Sequence, residues 1–128
     1  DRRDRQPHEG IGVDQPDSGS SALAANWPAS RIDHWTKLLQ ARGIDTQAFV
    51  VAANRFGTDK DVQYGGRSAI ISFQGTILAE ASDTTSMVIS ASCDPNAAAA
   101  WRHEFPVADD INRAFLGSVD IQKVNPTA

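Results

Sequence analysis

The pattern of hydrophobic and polar positions divides the 128-residue chain into three parts. Residues 1–21 are polar, contain Gly, Pro and Ser, and show no apolar periodicity, which is typical of a loop or a disordered segment. Residues 22–116 contain the apolar segments, and residues 117–128 have the composition of a tail. We therefore expect one ordered domain over residues 22–116, preceded by a segment of a different kind.

The first half of this domain predicts a strand, a helix and a second strand. Residues 22–25 are apolar and fit a buried strand, although periodicity alone does not separate strand from helix. Ser30 precedes Asp33 by three residues, a pattern similar to a capping box, which predicts a helix start. Gly43 is expected to weaken that helix near its end, by about 1 kcal/mol relative to Ala. Residues 49–53 are rich in strand formers and predict a strand buried on both faces. The buried stripe of the helix is expected to comprise Ile32, Trp35, Leu38, Leu39 and Arg42.

The middle of the domain predicts a loop followed by a hairpin. Residues 57–66 are charged and Gly-rich, which indicates a surface loop. Residues 68–73 and 76–81 flank Gln74-Gly75, and a Gly at such a position permits the positive φ of a tight hairpin turn.

The last part of the domain predicts a third strand and a helix. Residues 87–91 have strand composition. Asp94 and Pro95 then form an N-cap followed by Pro at the first helical position, so residues 96–105 should be helical up to Pro106. A further short helix is predicted around residues 111–116.

Composition and charge narrow the function classes. The formal net charge of -4 argues against a nucleic-acid partner, because phosphate neutralisation needs clustered Lys and Arg. No apolar run approaches the roughly 18 residues of a membrane span. The single Cys excludes an internal disulfide and fits a reducing compartment. We expect a soluble, acidic, cytoplasmic protein that binds neither nucleic acid nor membrane.

Three side chains have the chemistry of a catalytic or metal site, and the pattern favours a structural role for each. Cys93 follows a strand-like run and precedes an acidic N-cap, with no base nearby to make it a nucleophile. His34 and His103 are far apart in sequence and have no carboxylate at ligand spacing, so no metal site is predicted.

The order of four segments resembles the second half of the nitrilase or carbon–nitrogen hydrolase superfamily, closest to its ω-amidase-like branch. These segments are residues 26–35 (NWPASRIDHW), residues 38–49 (LLQARGIDTQAF), residues 54–68 with NRFGTD and YGGRS, and residues 68–81 (SAIISFQGTILAEA). The resemblance implies an α/β fold, specifically part of an α-β-β-α sandwich of two sheets covered outside by helices. It also implies hydrolysis of small carboxamides through a Cys acyl-enzyme, assisted by a Glu and a Lys, without metal or organic cofactor.

The resemblance also implies what this chain contributes and what it lacks. The family segments that carry the Cys, Glu and Lys lie upstream of anything matched, so we expect part of an amidase without its catalytic centre. An alternative is a non-catalytic structural or dimerising remnant of the fold, and a homo-oligomer is expected in either case.

The resemblance singles out a few polar and aromatic residues. Asn26 and Trp27 are expected to line the acyl-binding pocket, while the alternative for Trp27 is a core residue and for Asn26 a turn residue. Arg42 and Asp45 have the spacing of a helix-surface ion pair, which contributes little if exposed, whereas the resemblance favours the alternative that they act as an internal fastener. A last group is interpreted either as the rim of the pocket or as brackets that hold the loop: Asn54, Arg55, Tyr64 and Ser68.

Overall fold

The computed structural model describes residues 19–115, so nearly all of the predicted N-terminal segment and the tail at 117–128 lie outside the described residues. Two α-helices and six strands follow one another in this range. They are β1 (Ser20–Ala25), α1 (Ile32–Thr46), β2 (Phe49–Asn54), β3 (Phe56–Asp59), β4 (Val62–Gly65), β5 (Ala69–Ile71), β6 (Ile77–Glu80) and α2 (Pro95–Glu104). The fold is α/β, as predicted. No helix within residues 19–115 combines the length and apolar character that a membrane span requires.

The main sheet has four strands in the order β1-β2-β5-β6. β1 and β2 are parallel, because α1 carries the chain back across the sheet between them. β5 and β6 continue the sheet in antiparallel pairing. The carboxyl ends of β1 and β2 therefore meet at the same edge of the sheet.

The core lies between α1 and one face of this sheet. Trp35 and Leu39 of α1 are each 3% exposed and pack against alternate residues of the strands. Those strand residues are Val50, Ala52, Ala69 and Ile71. Strand residues alternate between the two faces, so α1 covers alternate residues of β2 and β5, although all three residues of β5 are buried.

The opposite face of the sheet is exposed at β1 and β2 within the described residues, whereas Ile70 of β5 on that same face is 7% exposed. Val51 is 45% exposed and Ala53 is also exposed, although both belong to the apolar run of β2. The strand predicted at residues 49–53 is confirmed, but the described residues fully cover only one of the two faces for which its composition is suited. The composition of β2 fits a strand that is buried on both faces, but α1 packs against one face only.

The buried stripe of α1 is narrower than predicted. Leu38 is 57% exposed and Arg42 is exposed, whereas Gly43 is buried. The predicted capping box is also wrong, because Ser30 belongs to a 3-10 turn at Ala29–Arg31 and does not cap α1. The residue that precedes the helix is Arg31, and its side chain makes no capping hydrogen bond.

The predicted loop at residues 57–66 is mostly the β3–β4 hairpin. Lys60 adopts a positive φ of 54° at the turn, which allows the two strands to fold back over two residues. The Arg55 guanidinium lies 4.7 Å from the centre of the Tyr64 ring, a cation–π contact that helps to hold the hairpin. These strands were not predicted because most of their residues are exposed, so the sequence lacks the apolar alternation that would indicate a strand.

The hairpin predicted around Gln74-Gly75 is confirmed, with shorter strands and a longer turn. Residues 72–76 connect β5 to β6, and Gly75 has the expected positive φ, 83°. The Ser72 hydroxyl accepts hydrogen bonds from the backbone N–H groups of Gln74 and Thr76. This side-chain bonding widens the turn beyond two residues.

The last part of the domain follows the prediction only at α2. The Asp94 carboxylate accepts a 2.9 Å hydrogen bond from Asn96 N, and Pro95 occupies the first turn. Residues 87–91 form no strand, because they pair with no other strand of the described chain. In place of the helix predicted at 111–116 there are two 3-10 turns, Val107–Asp110 and Arg113–Phe115.

Candidate functional site

The shared end of β1 and β2 is held together by the side chain of Asn54. Its Oδ1 accepts a 2.7 Å hydrogen bond from Trp27 N, and its Nδ2 donates to Trp27 O at 3.3 Å and to Gly66 O at 2.8 Å. Asn54 is only 8% exposed, so these bonds form largely out of water. An amide with one acceptor and two donors satisfies all three groups, which an acidic or apolar side chain cannot do.

Backbone and hydroxyl contacts complete this junction. Arg55 N donates to Ala25 O at 3.1 Å, and Gly66 N donates to Arg55 O at 2.9 Å. The Ser68 hydroxyl accepts a 2.9 Å bond from Asn54 N. Three segments that are remote in sequence therefore meet at one edge: the end of β1, the end of β2 and the connection from β4 to β5. We call this the Asn54 junction.

The connection from β4 to β5 contains two consecutive left-handed residues. Gly66 has φ of 59° and Arg67 has φ of 56°. For a non-glycine residue this conformation costs free energy and persists only where other contacts hold it. Trp35 Nε1 donates to Arg67 O at 2.8 Å, and the Arg67 guanidinium contacts both carboxylate oxygens of Glu80 at 3.2 Å. In the sequence, Gly65-Gly66 indicates a turn at this position, but nothing there predicts the contacts of Arg67 with Trp35 and Glu80.

The predicted site residues Asn26 and Trp27 lie at the Asn54 junction. Asn26 is exposed, and Trp27 is half-buried against the core with its ring 5.9 Å from that of Trp35. The Trp27 indole N–H donates a 2.6 Å hydrogen bond to Arg31 O. This placement accommodates both the pocket and the packing interpretations, so their role in substrate binding stays a prediction.

The other candidates lie apart from the junction. Cys93 is a free, exposed thiol beside the start of α2, and His34 and His103 are exposed on the two helices. In the described part of the chain, no three His, Cys, Asp or Glu side chains come together to hold a metal ion. Arg42 and Asp45 form a 3.2 Å ion pair with side chains 60% and 63% exposed. They therefore form the helix-surface ion pair and not the internal fastener that the resemblance favoured.

Comparison with known proteins identifies the family of this chain. Residues 20–103 match the family described as "Carbon-nitrogen hydrolase". The chain is 40% identical over 91 residues to the 2-oxoglutaramate amidase of Bacillus subtilis, covering 71% of this chain and 35% of that protein. It is 41% identical over 93 residues to the Escherichia coli K12 omega-amidase YafV, covering 72% and 36%.

A solved structure supports the same comparison. A CN-hydrolase superfamily protein from Xanthomonas campestris superimposes with a TM-score of 0.67 at 32% identity, covering 81% of this chain and 37% of the other. The chain thus spans little more than a third of the length of the relatives that it matches.

Proposed function

This chain belongs to the carbon–nitrogen hydrolase family, and from that premise we propose that it supplies one wall of the active site of an amidase. In this proposal residues 22–116 are the C-terminal part of the hydrolase domain, and the catalytic Cys, Glu and Lys are carried outside the 128 residues. The observation that carries it is the Asn54 junction, where Asn26 and Trp27 are held at the carboxyl end of parallel strands. Ligand sites of α/β proteins lie preferentially at this end.

The junction is built to position groups and not to react. The Asn54 amide is already hydrogen-bonded to the backbone of Trp27 and Gly66, and the Ser68 hydroxyl is hydrogen-bonded to the backbone of Asn54. The exposed Asn26 amide can donate to or accept from a substrate, and the Trp27 ring provides an apolar surface. We propose that these two residues contact the acyl part of the substrate.

The substrate class is proposed from the relatives. Proteins about 40% identical to this chain are named 2-oxoglutaramate amidase and omega-amidase. We propose a short carboxamide with a distal carboxylate, hydrolysed to ammonia and an acid through a Cys acyl-enzyme. The reaction needs no metal or organic cofactor in this proposal. The exposed free thiol of Cys93 fits a reducing compartment such as the cytoplasm.

A segment exchange tests the proposal. Residues 20–103 of this chain replace the matching segment of the Bacillus subtilis amidase, which keeps its own catalytic residues. We expect the folded chimera to release ammonia from 2-oxoglutaramate, and the same chimera with its catalytic Cys changed to Ala to be inactive. A chimera that folds with native-like cooperativity but releases no ammonia would contradict the proposal.

Trp27→Phe in that chimera tests the proposed contact. Phe keeps most of the buried area, so we expect the free energy of unfolding to fall by less than about 1.5 kcal/mol. The ratio of kcat/KM between amides that differ by one methylene should change, because pocket volume discriminates a methylene by roughly 1–3 kcal/mol. Unchanged selectivity, or a loss of folding, would return Trp27 to a packing role.

The uncovered face of the sheet favours a second candidate, a non-catalytic member of the fold that assembles through this face. Val51 and Ala53 are exposed there, at the centre of an apolar strand. The chimera separates the two candidates, since a purely structural remnant need not support catalysis.

A further inference from the structure

The connection from β4 to β5 follows an unfavourable backbone path at Arg67. Gly66 and Arg67 have positive φ values of 59° and 56°. A Cβ on Gly66 would lie 2.9 Å from the backbone oxygen of Ser82, so space requires glycine there. At Arg67 the same conformation costs free energy that a glycine would avoid. Strained backbone of this kind is concentrated at functional sites, so an arginine in this conformation indicates a role for its side chain.

The Arg67 side chain forms an ion pair that joins this connection to the end of β6. Its Nη2 donates to both carboxylate oxygens of Glu80 at 3.2 Å, across 13 positions of sequence. The two side chains are each 29% exposed, whereas those of the Arg42–Asp45 pair, also 3.2 Å apart, are 60% and 63% exposed. Water screens the Arg67–Glu80 pair less, so this pair constrains the geometry of the backbone that carries it more strongly.

A continuous series of contacts leads from this ion pair to the Asn54 junction. The backbone oxygen of Arg67 accepts a 2.8 Å hydrogen bond from Trp35 Nε1, and that of Gly66 accepts a 2.8 Å bond from Asn54 Nδ2. The other end of the Asn54 amide, Oδ1, accepts a 2.7 Å bond from Trp27 N. A shift of the left-handed connection therefore moves an acceptor of Asn54, and with it the group that holds Trp27.

We propose that Arg67 and Glu80 are positioning residues for the wall of the site that carries Trp27. Their ion pair holds the connection from β4 to β5 in place, and the connection holds Asn54 and through it Trp27. This inference rests on the proposed function and deepens it, because it names residues that set substrate selectivity from outside the acyl pocket. The alternative is a purely structural role, in which the pair stabilises the end of the β5–β6 hairpin and leaves the junction unchanged.

Arg67→Gly in the 128-residue chain separates positioning from stability. Glycine adopts this φ without strain and keeps the backbone oxygen that accepts from Trp35, so the melting temperature should stay within about 4 °C of the original. Hydrogen exchange of the Trp27 backbone N–H, which donates to Asn54 Oδ1, should become at least about tenfold faster. The amide of Val50, which is 0% exposed, should stay within about threefold of its original rate. Nuclear magnetic resonance measures both rates in one sample.

Glu80→Gln is the second variant, and Asp45→Asn is its matched control. Each replaces the carboxylate of an Arg–carboxylate pair of 3.2 Å by an amide of nearly the same shape. We expect exchange of the Trp27 N–H to become about tenfold faster in Glu80→Gln. It should stay at its original rate in Asp45→Asn, because the Arg42–Asp45 pair lies on the exposed side of α1 and not at the junction.

The same variants in the Bacillus subtilis chimera test the consequence for the site. The ratio of kcat/KM between amides that differ by one methylene should change by at least about threefold in Arg67→Gly and in Glu80→Gln. It should stay constant in Asp45→Asn. A purely structural pair would leave this ratio unchanged in a chimera that remains folded.

Three results would overturn the inference. They are an unchanged exchange rate of the Trp27 N–H in Arg67→Gly and Glu80→Gln, an equal acceleration in Asp45→Asn, and unchanged selectivity in active chimera variants. Far-ultraviolet circular dichroism checks folding, and Glu80→Gln decides the test if Arg67→Gly unfolds. A folded but inactive original chimera contradicts the proposed function alone. Hydrogen exchange in the 128-residue chain then still decides whether the pair holds the junction, so the two proposals fail separately.

Discussion

Gly43 and Asn54 show how single residues set the distances between the elements of this chain. A Cβ on Gly43 would lie 2.5 Å from the backbone oxygen of Ser72, so Gly is what allows α1 to lie close to the end of β5. Asn54 in turn fixes the junction through three hydrogen bonds to backbone groups. Both residues act on backbone that is distant in sequence, which local propensity does not describe.

Gly43→Ala separates helix propensity from close packing. Propensity alone would stabilise the protein by about 1 kcal/mol. Because the contact is with backbone, we expect a decrease in the free energy of unfolding of about 1–3 kcal/mol instead. Ala41→Gly, at an exposed position of the same helix, is the control and should cost about 1 kcal/mol. Urea unfolding measures both, and a more stable Gly43→Ala variant would show that α1 and β5 can separate without cost.

Asn54→Ala tests whether the junction depends on this amide. The change leaves Trp27 N and the oxygens of Trp27 and Gly66 without their partner, and we expect a loss of about 2–3 kcal/mol. Asn96→Ala, at an exposed position in α2, should change stability by less than about 0.5 kcal/mol. If thermal unfolding gives equal shifts for both variants, the junction does not need the Asn54 side chain.

At the scale of elements, the predictions succeeded where the signal was local. The Asp94-Pro95 start of α2 and the Gly75 turn depend on a few neighbouring residues, and both were found. The β3–β4 hairpin was missed because its turn is formed by Lys60 and Asp61, without glycine at the left-handed position. The strand predicted at residues 87–91 is absent, because a strand also needs a pairing partner and the composition of a segment does not supply one.

Lys60→Gly tests the hairpin turn directly. Lys60 has φ of 54°, which is unfavourable for a residue with a Cβ, so Gly should raise the free energy of unfolding by about 0.5–1 kcal/mol. Asp61 does not have a positive φ, and Asp61→Gly should be neutral or destabilising. Chemical denaturation of the two variants gives the comparison. A destabilised Lys60→Gly variant alongside a stabilised Asp61→Gly variant would contradict this description of the turn.

At the scale of the whole molecule, the α/β fold and the family were predictable, because four sequence segments follow one another in the order and with the spacing that are typical of that family. The burial of β2 was not, because exposure of Val51 depends on what lies across the sheet and not on the strand itself. The hydrogen bonds of the Asn54 junction were also not predictable from the sequence, since one side chain joins residues that are 27 positions apart. Sequence placed Asn26 and Trp27 at a strand end, and the structure adds what holds them there.

The central claim is that this chain carries one wall of an amidase site and not its catalytic centre. The most direct measurement is ammonia release from 2-oxoglutaramate by the purified 128-residue chain, with Cys93→Ala as control. We predict no release above the buffer blank for either protein, because the three catalytic groups act as a unit and are not replaced singly. Ammonia release by the original chain that Cys93→Ala abolishes would contradict the claim.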